Sequence, residues 1–170
     1  MNPKFKKLFI TGGAGYVGAC LVPKLLETGY EVTVFDLMIY GQDVLLDHPN
    51  LTKVRGDIRD INAIEQHIGN SDAVIHLACI SNDPSFELNP SLGKSINLDS
   101  FEPLVKLSRN SGAKRFIYAS SSSVYGVKKE SKVTEELCLE PLTDYSKFKA
   151  VCEVILQRYS DDSFSTVTLS

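Results

Sequence analysis

The sequence lacks the features that mark several large functional classes. No stretch approaches the ~20 consecutive apolar residues of a membrane-spanning helix. No run of Lys and Arg exceeds a pair, and the formal net charge is −3, so neither a membrane nor a nucleic-acid partner is expected. The four cysteines (Cys20, Cys79, Cys138 and Cys152) are scattered without a C-x-x-C pair, and the three histidines (His48, His67 and His76) show no metal-ligand spacing. Neither a disulfide framework nor a metal site is therefore expected. The apolar run after "MNPKFKK" is broken by Gly12 and Gly13 and is too short for a secretory h-region. No signal peptide is expected, the sequon at Asn50 reads as a chance match, and the protein is expected to be cytoplasmic.

What is present fits a soluble globular domain. The chain has 170 residues, 43% hydrophobic and 23% charged, enough for one domain with its own core. Short apolar runs alternate with helical stretches. Strands are expected at Lys7–Thr11, Glu31–Asp36, Leu51–Asp57, Ala73–Cys79, Arg115–Ser120 and Phe164–Ser170. Helices are expected at Tyr16–Gly29, Asp60–Gly69, Pro90–Asn110 and Asp144–Ser160. The strands are continuously apolar rather than alternating, which implies a parallel sheet covered on both faces. The expected class is α/β with a Rossmann-type doubly wound parallel sheet. Pro23 and Pro103 fall inside expected helices and should kink them.

The stretch "TGGAGYVG" places Gly12, Gly15 and Gly18 directly after a strand, at the opening of a helix. Glycines let a backbone approach a pyrophosphate, and a helix start offers free N–H groups and a favourable dipole. Asp36, about 20 residues on at the end of the second strand, is placed to meet the ribose hydroxyls of an adenosine. A carboxylate there repels a 2′-phosphate, and no arginine is expected beside it, which favours NAD over NADP. A tight strand-to-helix turn would need the glycines but not the acid. In "DYSKFK", Tyr145 and Lys149 share a helix face. A phenol with a pKa of about 10 is a poor base at neutral pH, and an ammonium beside it would lower that value.

Together, "TGGAGYVG", "GDIRD", "IHLAC", Asn97, "SSSSVYG" and "YSKFK" resemble the extended short-chain dehydrogenases/reductases, specifically the NAD-dependent nucleotide-sugar epimerase/dehydratase group. The resemblance runs over nearly the whole chain. It implies that Gly12, Gly15, Tyr16, Val17 and Gly18 hold the pyrophosphate, Asp36 and Leu37 the ribose, and Asp57 and Ile58 the adenine. Leu77, Ala78 and Cys79 would run under the cofactor, although Cys79 stands where the group usually has alanine or glycine. Asn97 would support the same site. Tyr145 would be the catalytic base, Lys149 its partner and a nicotinamide-ribose ligand, and Ser121 the catalytic hydroxyl. Tyr125 is expected to be a packing residue.

Ser122 and Ser123 stand where sugar 4,6-dehydratases of this group carry acids, so that chemistry is disfavoured. Ser81, Asn82, Ser121 and Ser122 are candidate contacts for a nucleoside-diphosphate sugar, although the surrounding "ISNDPSFELNP" also reads as a polar loop with turn prolines. The expected reaction is oxidation of a sugar hydroxyl, at C4, to a ketone. Return of hydride to the other face would make an epimerase; release of the ketone would make a dehydrogenase, and the reverse a reductase. A non-catalytic NAD(H)-binding regulator of the same fold is the alternative from another class. Members of the group are about twice this length, so residues 1–170 are expected to be the NAD-binding domain of a longer protein, stopping near the sixth strand. The resemblance implies a homodimer through the long helix and the Tyr-Lys helix; Leu98, Phe101 and Val105 give the first an apolar stripe and Phe148, Val151 and Ile155 the second, although such stripes more often face a chain's own core.

Overall fold

The computed structural model describes residues 5–130 and 132–170. Six strands form one sheet: β1 (Lys7–Thr11), β2 (Glu31–Asp36), β3 (Leu51–Arg55), β4 (Ala73–His76), β5 (Arg115–Ala119) and β6 (Ser165–Leu169). Their order is β3-β2-β1-β4-β5-β6, and every neighbouring pair is parallel. The order reverses between β1 and β4, so a crevice opens where Thr11 pairs in register with His76. Ligands of doubly wound sheets bind at such a switch point.

Helices cover both faces. Phe9, Phe35, Val74 and Phe116 belong to a buried cluster with residues of α2 (Ile61–Ile68), α5 (Phe101–Asn110) and α6 (Asp144–Arg158). Leu8, Ile10, Val32, Val34 and Ile75 pack instead with Val22 and Leu26 of α1 (Tyr16–Glu27). Adjacent strand residues thus feed opposite cores, which is why the strands read as unbroken apolar runs.

The expected long helix over Pro90–Asn110 is three pieces. These are α4 (Pro90–Lys94), one π-helical turn (Ser95–Asp99) and α5, which restarts at Phe101. Pro103 has no N–H to donate to the carbonyl one turn back, which weakens a regular helix at that point. In the observed arrangement Pro103 lies in the first turn of α5, where amides need no intrahelical partner. A further helix, α3 (Asp83–Glu87), lies within the expected polar loop. Asn82 caps α3 and Asn89 caps α4, each with a proline in the first turn behind it; together these are a start signal rather than turn punctuation. Strands β3 and β4 end two and three residues earlier than expected, which frees Gly56–Asp57 and Leu77–Cys79 for the crevice.

The expected dimer stripe on the long helix is corrected by the packing. Phe101 and Val105 are fully buried within the chain's own core, and Leu98 packs against it. They face inward because β4 and β5 must be covered on that side. On α6, Ile155 packs on the same core, whereas Val151 and Val154 are exposed.

Candidate functional site

The glycine loop is shaped by close backbone approaches. Gly12 has φ +72°, and a Cβ on it would sit 2.5 Å from the Ala78 nitrogen. Its N–H donates to the Phe35 carbonyl at 3.0 Å, tying the loop to β2. A Cβ on Gly18 would lie 2.1 Å from the Gly13 carbonyl oxygen, so only glycine lets α1 begin this close to the loop. Gly15 caps α1 without a side-chain bond, and no acid stands in the first turn. The helix start therefore keeps its N–H groups and positive dipole end for an anion. Tyr16 and Val17 project outward, with 93% and 57% of their surface exposed, so backbone amides are what they offer the crevice.

Asp36 closes β2 with its carboxylate turned back to the loop. Its Oδ2 accepts from the Ala14 N–H at 3.0 Å and its Oδ1 from the Met38 N–H at 2.8 Å. A carboxylate has about four acceptor positions, so roughly two remain for a ribose. Arg55 on β3 is the register partner of Asp36, a neighbour that sequence adjacency could not show. Leu37 is partly exposed. Asp57, beyond β3, is held well below the ordinary carboxylate range by the Arg59 guanidinium, while Ile58 is buried beside it. These features fit a dinucleotide: a cradle that a Cβ would fill, an uncapped helix start and a fixed ribose-level carboxylate.

Asn97, on the π turn, is buried and spends both ends of its amide on one residue. Nδ2 donates to the Ile80 carbonyl at 2.9 Å, and Oδ1 accepts from the Ile80 N–H at 2.8 Å. It therefore fixes the run Leu77–Ile80 below the glycine loop rather than pointing into the crevice. The three residues Leu77, Ala78 and Cys79 are partly buried along this run.

Tyr145 lies in the first turn of α6, set by a capping box between Thr143 and Ser146. It is 6% exposed. Burial pushes its phenol above the ordinary value; the Cys79 thiol adds to the rise and the Ser121 hydroxyl opposes it. The direction is opposite to that expected from the Tyr-Lys spacing. Lys149 is buried, donates to the Ala119 carbonyl at 2.8 Å, and sits 4.8 Å from the Tyr118 ring centroid and 5.9 Å from that of Tyr145. Desolvation of the phenol outweighs an ammonium that is directed first at Tyr118 and Ala119.

Ser121 follows β5, and its Oγ shares a hydrogen with Ser123 Oγ at 2.9 Å while accepting from the Ser123 N–H at 3.2 Å. Ser122 is exposed. Tyr125 packs with Val124 and Ala150, as expected of a core residue. Ser81 and Asn82 lie on the surface, and the Asn82 side chain accepts from the Ser85 N–H to cap α3. Two groups of the site carried no sequence signal. His76 is buried among Phe101, Phe116 and Tyr118, bonded to Thr11 Oγ1 at 2.7 Å, and its pKa is held down to about 3 by burial and the charge of Lys149. Asp83 adds negative charge near Tyr145.

The sheet order, the glycine loop at the switch point and the carboxylate at the end of β2 define a Rossmann-type dinucleotide-binding fold. Residues 8–170 match the family described as the NAD dependent epimerase/dehydratase family, and the chain belongs to it. A curated relative from Sinorhizobium fredii, the uncharacterized protein y4nG, is 37% identical over 150 residues, covering 88% of this chain and 36% of its own. A solved UDP-N-acetylglucosamine 4-epimerase from Methanobrevibacter ruminantium, in complex with UDP-N-acetylmuramic acid, is 29% identical with a TM-score of 0.88, covering 98% of this chain and 54% of its own. The Bordetella bronchiseptica enzyme WbmH, solved with NAD+, is 33% identical with a TM-score of 0.82, covering 98% and 56%. The chain thus spans between about a third and just over half of the length of these relatives.

Proposed function

We propose that this chain is the cofactor-binding part of an NAD-dependent enzyme that inverts one carbon, C4, of a nucleoside-diphosphate sugar. The observation that carries the reading is the meeting, at one end of the sheet, of Tyr145, Ser121 and Lys149 with an uncapped helix start and the Asp36 carboxylate. The similarity to a solved 4-epimerase supports the choice of reaction.

Bound NAD would supply the acceptor and donor of hydride for the sugar carbon. Backbone amides of the loop from Gly12 to Gly18 would hold its pyrophosphate, and Asp36 with Leu37 its adenosine ribose. Asp57 and Ile58 would meet the adenine, and Leu77, Ala78 and Cys79, steadied by Asn97, would run under the cofactor. The Asp36 carboxylate disfavours a 2′-phosphate.

Tyr145, once ionised to its phenolate, takes the proton of the sugar hydroxyl as the carbon is oxidised and gives it back when the carbon is reduced. Proton transfer of this kind contributes about 10²–10⁴-fold. The hydroxyl of Ser121, oriented by Ser123, directs the sugar oxygen to the phenol. Lys149 supplies a buried positive charge near the Tyr145 ring and holds the end of β5 through Ala119. Neither Ser122 nor Ser123 supplies the carboxylate that a 4,6-dehydratase would carry there, so dehydration is disfavoured, and the similarity to a 4-epimerase favours epimerisation over release of the ketone. Two copies associate through α6, whose Val151 and Val154 are exposed.

The test is the Tyr145→Phe variant of the full-length protein. NAD(H) binding retained, with turnover of a UDP-hexose reduced by at least about 100-fold, supports the reading. Equal turnover in the variant and the parent overturns the role given to Tyr145.

A further inference from the structure

Beside Tyr145 lies a cavity of about 200 Å³, lined by residues of α3, α4 and the segment that enters α6. Its charged lining is acidic: Asp83, Glu87 and Asp144 bring carboxylates beside the hydroxyls of Thr143 and Tyr145, and among the described residues no Lys, Arg or His lines it, although Lys147 pairs with Asp144 at 3.4 Å. Phe86 forms an apolar wall, its ring 6.3 Å from that of Tyr145. The volume is below the ~300–1,000 Å³ of a site that encloses a whole drug-sized ligand. It has room for part of a sugar ring, and its charge repels a diphosphate.

One carboxylate in this lining is out of balance. Asp83 Oδ1 is shut off from solvent and has no hydrogen-bond partner among the described residues. A sheltered carboxylate oxygen without a donor is costly, and such groups in folded proteins call for a specific explanation, an unfilled ligand contact among them. The oxygen can only accept. Its missing partner is therefore a donor, and an uncharged ligand brings donors as hydroxyls. Asp83 also acts electrostatically on the Tyr145 phenol, which places it close to the reacting atoms.

We propose that Asp83 selects the sugar, accepting a hydrogen bond from a ring hydroxyl next to the reacting one and excluding sugars that carry a carboxylate. The inference rests on the nucleotide-sugar reading above and narrows it: neutral hexoses and pentoses are substrates, and hexuronic acids are not. The chemistry is two-sided, since a hydroxyl donor meets an acceptor while a second carboxylate meets the like charges of Asp83 and Glu87, Asp144 being paired with Lys147 at 3.4 Å. Asn82, expected as a sugar contact, is occupied as the cap of α3 and positions the residue after it.

Selectivity is measured as binding, so that it is read independently of turnover. The full-length protein as its NAD complex carries Tyr145→Phe, alone and combined with Asp83→Asn or Asp83→Ser, and is titrated calorimetrically with UDP-glucose and UDP-glucuronic acid. The expected result is that the Asp83-intact protein prefers UDP-glucose by at least about 10-fold. Both Asp83 substitutions should shrink that preference several-fold, with NAD affinity unchanged. Two variants are used so that one failure to fold does not decide the matter. Equal affinity for the two sugars with Asp83 present, or a preference unchanged by its removal, overturns the inference. In the Asp83→Asn enzyme with Tyr145 intact, KM for UDP-glucose should rise, and the pH profile of kcat should move to lower pH because a negative charge near the phenol is lost. A 6-deoxy-4-keto product made by the parent and lost in that variant would instead assign Asp83 to dehydration and overturn the inference. If both sugars bind with the expected preference yet the parent turns over neither, the epimerase reading fails while the selectivity stands.

Discussion

Asn97 and Ile80, 17 residues apart, are joined by a reciprocal pair of hydrogen bonds between one side-chain amide and one backbone residue. This clamp links the π turn to the segment that leaves β4 and passes under the glycine loop. The π turn is thus where an irregular backbone serves the site, since it carries the amide that holds Leu77–Ile80 in place.

Asn97→Ala should be costly for its size. It leaves a partly buried N–H and C=O without partners, at about 1–3 kcal/mol each where water does not replace the bond. A loss of about 2–4 kcal/mol in urea unfolding is expected, together with weaker NAD(H) binding. Asp99→Ala, on the same turn but exposed and paired only with Lys94 at the surface, should stay within about 0.5 kcal/mol. Equal effects of the two would remove the special role of Asn97.

Gly12 and Gly29 separate two reasons for glycine. Both have positive φ, but a Cβ on Gly29 would meet nothing within 4 Å, whereas one on Gly12 would strike the Ala78 backbone. Gly29→Ala should cost the strain alone, about 1 kcal/mol. Gly12→Ala should cost clearly more and also abolish NAD(H) binding, because the loop and the Leu77–Ala78 backbone must separate. Thermal unfolding and a fluorescence titration of NADH read both effects. A Gly12→Ala protein that binds NADH normally would contradict the cradle described for the loop.

His76 gives the fold an acid limit. Its pKa falls from 6.5 in the unfolded chain to about 3 in the fold. Between those values the unfolded chain binds a proton that the folded one refuses, so stability is present above about pH 6.5 and is lost as the pH falls towards 3. His76→Asn should lower stability at neutral pH, through repacking and the Thr11 bond, yet make the decline with acid shallower by about one proton. Parallel slopes for variant and parent across that window would show that His76 does not refuse the proton.

Much of this architecture was legible in the sequence, because the signals concerned were local. Continuous apolar strands announce a doubly covered parallel sheet, and glycine spacing with a following acid announces the dinucleotide crevice. Pro103 carries a real cost, and the chain places it in the first turn of α5, behind the π turn, whereas α1 runs through Pro23. Asn82 and Asn89 before prolines looked like turns because caps and turns favour the same residues. What sequence could not show depends on separations of tens of residues. Thr11 and His76 lie 65 apart, Lys149 and Ala119 lie 30 apart, and Arg55 is beside Asp36 only through strand register. The helical spacing of Tyr145 and Lys149 was read correctly. The raised pKa of the phenol was not, because burial is a property of the packed site rather than of the helix.

The most direct test of the central claim is the stereochemistry of the product. Full-length protein with NAD is incubated with a UDP-hexose, and the sugar is followed by proton NMR while NADH absorbance is recorded. The account predicts that the two C4 epimers approach a fixed ratio from either side, with no net accumulation of NADH. Stoichiometric NADH with a released ketone, or a protein that binds NAD yet leaves every UDP-sugar unchanged, would contradict it.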